Sequence, residues 1–290
     1  MRAENYENLK RSHPCFGGSQ SRYGRIHLPV SPGCNIQCGF CDRKINTTEE
    51  RPGVTQAVIT PQEALDVLSR ALEIDPDITV AGIAGPGDTL ASDYALETFR
   101  LIKERFPQML KCMSTNGLLL SERAGEIIDV GIDSLTVTVN STDPAIEAKI
   151  NTAIFYHGRV YEGEEGASIL IKNQLEGIKK VADAGITVKV NTVLIPSVNG
   201  DDIERTAEAA ARAGAKIYNI IPLIPQFRFK DHPPVSCEEL NAAREKAGKY
   251  IDVFRHCKHC RADAAGKVGG KDISGMLYAK RTQKEPFSHG

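Results

Sequence analysis

Cys34-Asn35-Ile36-Gln37-Cys38-Gly39-Phe40-Cys41 follows an apolar run, Arg25–Ser31, that reads as a short β-strand. Three thiolates at this spacing can wrap one corner of a cubane and ligate three irons of a [4Fe–4S] cluster. The fourth iron is then left without a local protein ligand, open to a substrate or cofactor. Zinc sites favour Cys-x₂₋₄-Cys pairs matched by a second pair, which this stretch lacks. A zinc knuckle or unrelated buried cysteines are the ordinary alternatives.

Outward from this loop the chain alternates strands with helices. Helix Pro61–Ala71 opens at Thr60 with proline in its first turn, and strand Ile78–Ala84 ends in Gly-Pro-Gly. Helix Ala91–Arg105, strand Met109–Ser114, helix Glu122–Val130 and strand Ser134–Val139 follow. Next come helix Glu165–Ala184, strand Thr187–Ile195, helix Asp201–Ala213, strand Lys216–Leu223 and a last helix, Glu238–Phe254. The strands are β-branched and apolar over most of their length, as expected when both faces are covered. Such alternation implies right-handed crossovers and a parallel α/β sheet, for which an open sheet and a closed or partial barrel both fit. Residues 1–24 are polar and read as irregular, with His13-Pro14-Cys15 standing out. Asp143–Gly166 reads as an irregular insertion, a surface loop or lid. The last thirty residues read as a tail with Cys257 and Cys260 at its start.

The 290 residues carry 36 Lys+Arg against 37 Asp+Glu, a formal charge of −1 that argues against a dedicated polyanion binder such as a nucleic-acid protein. No apolar run approaches the roughly 20 residues of a membrane span, and residues 1–20 are too polar for a signal peptide. The expectation is a soluble cytoplasmic protein, in which sequons at Asn46 and Asn140 carry no meaning. Eight cysteines in such a chain point to metal or redox chemistry. Length alone suggests about two domains, although α/β barrels of roughly 200–250 residues commonly form one.

The cysteine motif resembles that of the radical S-adenosylmethionine (SAM) superfamily. The resemblance implies a (βα)₆ partial TIM barrel whose open iron chelates the amino and carboxylate groups of SAM. Gly85, Pro86, Gly87 and Asp88 occupy the place of the superfamily's Gly-Gly-Glu-like turn, whose backbone holds the SAM amino group. Ser114 and Asn116 after strand three, Asn140 after strand four, and Asn191 and Val193 in strand five stand where further SAM contacts are expected. Each alone is an ordinary structural residue; together they sit at carboxyl ends of parallel strands, where sites form.

Of the other cysteines, Cys237 begins a helix and reads as a bland packing residue. Cys257-x-x-Cys260 is a metal clip in principle. By period two, Cys112 shares a face with Leu110 and Ser114, and the inward side is plausible. Ile26, Leu28 and Val30 can pack against helices, which turns His27 to the interior beside Cys112. Two further [4Fe–4S] clusters would normally want about eight thiolates, against four cysteines and one histidine here. That deficit favours clusters handled as substrates over permanent electron wires.

The full set of motifs resembles the NifB family, radical SAM enzymes of nitrogenase cofactor assembly. It comprises His13-Pro14-Cys15, Arg25-Ile26-His27, Cys34 through Lys44, Arg51-Pro52-Gly53-Val54, Ala81 through Asp88 and Cys112 through Gly117. Later pieces are Asn173 through Gly177, Lys189 through Pro196 and His256 through Ala264. The likeness is to the short, stand-alone form, with residues 1–24 and 236–290 as cluster-binding extensions of a barrel at 25–235. It implies fusion of two [4Fe–4S] units, K1 and K2, with a ninth sulfide and a SAM-derived carbide into an [8Fe–9S–C] cluster. Carried over by position, Cys34, Cys38 and Cys41 hold the SAM cluster, His27 and Cys112 match K1 ligands, and Cys15, Cys257 and Cys260 match K2 ligands. Many members carry a further K1 cysteine where this chain has Ile45-Asn46-Thr47-Thr48. Glu49 is the candidate to help there, with a solvated loop acid as its ordinary alternative. Cys112 and Glu49 are also the candidate catalytic residues. Implied partners are iron–sulfur cluster donors and downstream carrier or scaffold proteins, with the chain a monomer. The rival readings are another radical SAM enzyme with an auxiliary cluster and a non-catalytic iron–sulfur scaffold. A scaffold needs neither the Gly-Pro-Gly-Asp turn nor the βα array.

Overall fold

The computed structural model describes residues 2–16 and 22–278. Met1, residues 17–21 of the expected N-terminal extension and residues 279–290 of the expected tail lie outside the described residues. The stretch read as irregular at the N-terminus is a helix, α1 (Arg2–Ser12). Its polar sequence gives no helical stripe; the helix is held by burial of Leu9 beside Phe16. Strand β1 (Gly24–His27) ends short of the expected Ser31, since Pro29 has no N–H to extend the ladder.

The loop after β1 carries three small strands, β2 (Ile36–Cys38), β3 (Lys44–Ile45) and β4 (Val54–Thr55). Helix α2 (Pro61–Ile74) starts with a Thr60–Glu63 capping box and a proline in its first turn. Then follow β5 (Ile78–Ile83), α3 (Tyr94–Arg105), β6 (Leu110–Thr115), α4 (Leu120–Asp129) and β7 (Ser134–Thr138). The insertion is not a loose loop: it folds into α5 (Pro144–Ile150), β8 (Asn151–Tyr156) and β9 (Arg159–Tyr161). Asp143 caps α5, and β8 pairs antiparallel with β2 and β9. The insertion therefore braces the cysteine loop. Beyond it come α6 (Gly163–Asp183), β10 (Thr187–Leu194), α7 (Pro196–Asn199), α8 (Ile203–Ala213) and β11 (Ile217–Pro222).

The expected last helix is cut short. Helix α9 (Cys237–Ala247) ends before Gly248, and Asp252–Phe254 forms β12, parallel to β11. The tail also folds, as β13 (Ala265–Lys267) antiparallel to β1 and as α10 (Ser274–Tyr278).

The main sheet runs β12-β11-β10-β7-β6-β5-β1-β13. The six expected strands are its parallel centre, and each crossover helix covers the outer face. Ile26, Leu28, Val30, Met113, Val137 and Val190 pack there with Leu68, Phe99, Ile127 and Ile178. On the other face Leu110 of β6 and Ile217 of β11 share one apolar cluster, although two strands separate them. The sheet is therefore curled, with β12 and β13 at its edges, which is a partial barrel. Among the described residues no helix is long and apolar enough to cross a membrane.

Candidate iron–sulfur and S-adenosylmethionine site

Cys34, Cys38 and Cys41 all lie on the loop leaving β1, partly buried and free of disulfides. The Cys41 N–H donates to the Cys38 carbonyl at 3.1 Å, and the Gly39 N–H to Ile150 O at 2.8 Å. A side chain at Gly39 would stand 2.7 Å from the Phe229 ring, so this turn is pressed against the chain after β11. Burial pushes all three thiols up, Cys41 to about 11, and Cys34 adds to the rise at both other thiols. The Arg43 guanidinium opposes the rise at all three. No three His, Cys, Asp or Glu side chains among the described residues converge as one zinc ion would require. The donor set fits a cluster: three coupled, unpaired thiols on one turn, with fixed cations to offset thiolate charge.

The Gly85–Asp88 turn fixes where this loop begins. The Gly87 N–H donates to Ser31 O at 2.9 Å and the Asp88 N–H to Gly33 O at 2.8 Å, just before Cys34. A Cβ on Gly87 would fall 1.9 Å from Gly33 O, which leaves glycine as the residue that fits. Gly85 takes φ +129 and precedes a cis bond to Pro86. The Asp88 carboxylate is consumed inside the protein, accepting from Leu90 N (2.9 Å), Thr115 Oγ1 (3.0 Å) and Asn116 N (2.6 Å). It thereby sets the turn after β6.

Asn116 connects that turn to the cysteines, donating to Asn35 Oδ1 at 2.6 Å and lying 3.8 Å from Cys34 Sγ. Ser114 is partly exposed, and its carbonyl accepts from Thr89. Asn140 accepts from the Val193 N–H at 3.1 Å, and Asn191 accepts from Asn219 Nδ2 at 3.0 Å. These residues thus lie in or just after β6, β7 and β10, with Asn116 tied to the cysteine loop.

A second group occupies the concave side lower down. His27, Gly82 and Cys112 are partners in register across β1, β5 and β6. Gly82 leaves the gap the His27 ring fills; a Cβ there would meet His27 Cδ2 at 3.1 Å. His27 Nδ1 lies 2.9 Å from the Arg261 carbonyl, which can only accept, so Nδ1 carries the proton and Nε2 keeps its lone pair. Burial and then Arg25 push His27 down to about 4, so the ring is neutral. Cys15, Cys112 and Cys257 pack on one apolar cluster. Cys260 accepts from Arg25 Nη2 at 3.1 Å, beside a cavity of about 140 Å³. A surface depression of about 450 Å³ around Lys216 and Tyr250 contains none of these residues.

Two expectations meet different surroundings. Glu49 is held by Arg51 (2.7 Å), Asn46 Nδ2 (2.9 Å) and Lys44 (3.5 Å), within its own loop. Cys237 is exposed at the start of α9, where it packs against no core.

Several residues not singled out for a role in the sequence also shape the site. Arg261 reaches Glu49 O and Asn46 O at 2.6 and 2.7 Å and pairs with buried Asp263, tying the tail to the loop around Asn46. Glu147 of α5 is fully buried, bonded to Asn151 and electrostatically felt by Cys38. Only the pairing of β8 with β2 brings Glu147 to that cysteine, so nothing in the local sequence marks it. Burial raises its pKa from 4.5 to about 8. A raised carboxyl pKa contributes stability that is full below about 4.5 and is lost as pH climbs through about 8. Glu147→Gln is therefore expected to flatten that decline and to melt higher than the wild type at about pH 9, with little gain near pH 5. Thermal unfolding across that range measures it.

A curled parallel sheet with three free cysteines on its first loop and a glycine turn locked against them defines a radical SAM enzyme. The superfamily's sequence model matches residues 28–210, and the fold agrees. Streptococcus suis SuiB superposes with TM-score 0.57 at 10% identity over 99% of this chain, which spans 57% of SuiB's. Native anSMEcpe with bound AdoMet and Kp18Cys peptide superposes with TM-score 0.52 at 12% identity, over 78% of this chain and 61% of its own. Within that superfamily the chain belongs to the NifB family. The FeMo cofactor biosynthesis protein NifB of Methanocaldococcus infernus is 41% identical over 97% of this chain and 93% of its own. That of Methanocaldococcus jannaschii is 41% identical over 98% and 97%. That of Klebsiella pneumoniae is 39% identical over 89% of this chain but only 57% of its own length.

Proposed function

We propose that the chain makes the precursor of the nitrogenase cofactor. In this reading it joins two [4Fe–4S] substrate clusters, K1 and K2, with a ninth sulfide and a SAM-derived carbide, giving the [8Fe–9S–C] product called NifB-co. The observation that carries the reading is a second group of candidate donors: His27 in register with Cys112 across Gly82, Cys15 and Cys257 on the apolar cluster that includes Cys112, and Cys260 bonded to Arg25. A radical SAM enzyme that needed only its own cluster would have no use for it.

Cys34, Cys38 and Cys41 would hold the resident cluster, which when bound supplies the electron that cleaves SAM to a 5′-deoxyadenosyl radical. The Gly85–Gly87 backbone and Asn116 position that cluster's loop, and Asn140, Asn191 and Val193 line the approach for SAM. His27 offers its Nε2 lone pair, and Cys112 its thiol, to K1. Cys15, Cys257 and Cys260 serve K2. With Asn46 and Thr47 in the stretch where relatives place a cysteine, K1 is one thiolate short, which suits a cluster that must leave. Glu49 could complete K1 once freed from Arg51. SAM, when bound, would supply both the methyl carbon and, on reductive cleavage, the radical that activates it. Cluster donors would load the site and a carrier or scaffold protein would take the product from a monomeric chain in the reducing cytoplasm.

Anaerobic reconstitution with excess iron and sulfide, then incubation with methyl-labelled SAM, tests the function. Label in an acid-released carbide, together with 5′-deoxyadenosine and S-adenosylhomocysteine, is the expected result. A Mössbauer count showing the SAM cluster alone would overturn it.

A further inference from the structure

Lys189 of β10 points into the concave side and is only 7% exposed. Its Nζ lies 3.4 Å from the Cys15 carbonyl, 4.8 Å from the Phe16 ring centre and 5.5 Å from that of Phe254. Its charge is felt at His13, Cys15, His27 and Cys112. Among the described residues no carboxylate forms an ion pair with it. Burying a cation without an anion is costly, and two aromatic faces offset only part of that cost. Beside it His13 is 1% exposed and accepts the Cys15 N–H at Nδ1, 3.1 Å away. The proton of the neutral ring is then on Nε2, a buried donor with no partner among the described residues. A lysine and an imidazole N–H, both lacking an acceptor of matching charge, thus meet beside a candidate ligand thiol.

We propose that Lys189 and His13 form an anion-recognition pair for the substrate cluster held by Cys15, donating hydrogen bonds to its sulfide or thiolate sulfurs. The inference rests on the reading that Cys15 ligates a substrate cluster. An iron–sulfur cluster with thiolate ligands is an anion, and its sulfurs accept hydrogen bonds. The pair would supply the counter-charge inside an apolar cup where water cannot. A buried ammonium without an ion-pair partner favours an anionic occupant over a neutral one. Arg25, bonded to Cys260, gives a second fixed cation beside the same group.

The test uses the full chain, reconstituted anaerobically with iron and sulfide, and the variants Lys189→Met, Lys189→Arg and His13→Phe. Lys189→Met is expected to release auxiliary iron to a chelator with roughly 10–100-fold lower affinity, as second-shell changes typically do. Its auxiliary clusters should titrate at lower potential, because a nearby positive charge is gone, while the SAM cluster keeps its potential and its spectrum. Lys189→Arg should stay near the wild type, and His13→Phe should weaken retention without moving the SAM cluster. In the cluster-free chain Lys189→Met should melt no lower than the wild type. Unchanged iron retention and potential in Lys189→Met would overturn the proposal, and so would a cluster-free Lys189→Met chain that melts well below the wild type. Wild-type protein that holds iron for one cluster only would bring down the cluster reading as well. Auxiliary clusters present in the wild type and undisturbed in Lys189→Met would bring down this proposal alone.

Discussion

Gly87→Ala is expected to abolish SAM cleavage while leaving a folded chain. The new Cβ would lie 1.9 Å from Gly33 O and 2.9 Å from Gly33 N, both backbone atoms that no rotamer change can move. Overpacking of this kind commonly costs 1–3 kcal/mol, roughly what a domain of this size can absorb. The function cannot absorb it. The hydrogen bonds from Gly87 to Ser31 and from Asp88 to Gly33 would have to open, and Cys34 follows Gly33 directly. A displacement of about 1 Å at a catalytic constellation can cost about 100-fold in rate, and here the displaced atoms include a cluster ligand. Production of 5′-deoxyadenosine by the reconstituted variant, with iron per chain, measures the effect. Gly125→Ala is the control: nothing lies within 4 Å of its Cβ, and the helical site should gain about 0.4–1 kcal/mol with cleavage unchanged.

Asp263→Ala should lower stability by about 3–5 kcal/mol, because it leaves the Arg261 guanidinium buried without its anion. Asp263 is fully buried, accepts from Arg261 Nε at 2.9 Å, and accepts from the Gln56 N–H at 2.5 Å. Arg261 in turn holds the carbonyls of Asn46 and Glu49 and presents its own carbonyl to His27. One substitution therefore unties the tail, the loop after the SAM cysteines and the orientation of the His27 ring. A drop in the urea midpoint at constant slope is the expected signature, with auxiliary iron lost before SAM-cluster iron. The exposed pair Lys179–Asp183 on α6 provides the contrast, since its removal should cost no more than about 0.3–0.5 kcal/mol.

The parallel core was legible because its signals are local. Ile26, Leu28 and Val30 alternate with His27, and the reading that turned the histidine inward follows from that period alone. Its outcome is a ring facing Cys112 across Gly82. Capping residues such as Thr60 and Glu63 mark their helix within four positions. The misreadings occurred where structure is bought at long range. Residues 143–166 look loose because β8 and β9 have no stability apart from β2, more than a hundred residues earlier. The tail looks loose because β13 exists only against β1. Helix Glu238–Phe254 was overextended because β12 is too short to show a period of two, and only pairing with β11 makes it a strand.

The sequence by itself determined the chemistry of the first cluster, since three thiols spaced within eight residues mark the donor set, while distant partners fix the loop's geometry. It also determined the alternation that makes the sheet parallel, because hydrophobic period is a property of each segment. Tertiary structure alone decided which nitrogen of His27 is free, that Asp88 spends its carboxylate on the turn after β6, and that Lys189 lies buried beside Cys15 without an ion-pair partner among the described residues. Those facts depend on hydrogen bonds and burial between residues far apart in the chain, and no local pattern of side chains encodes them.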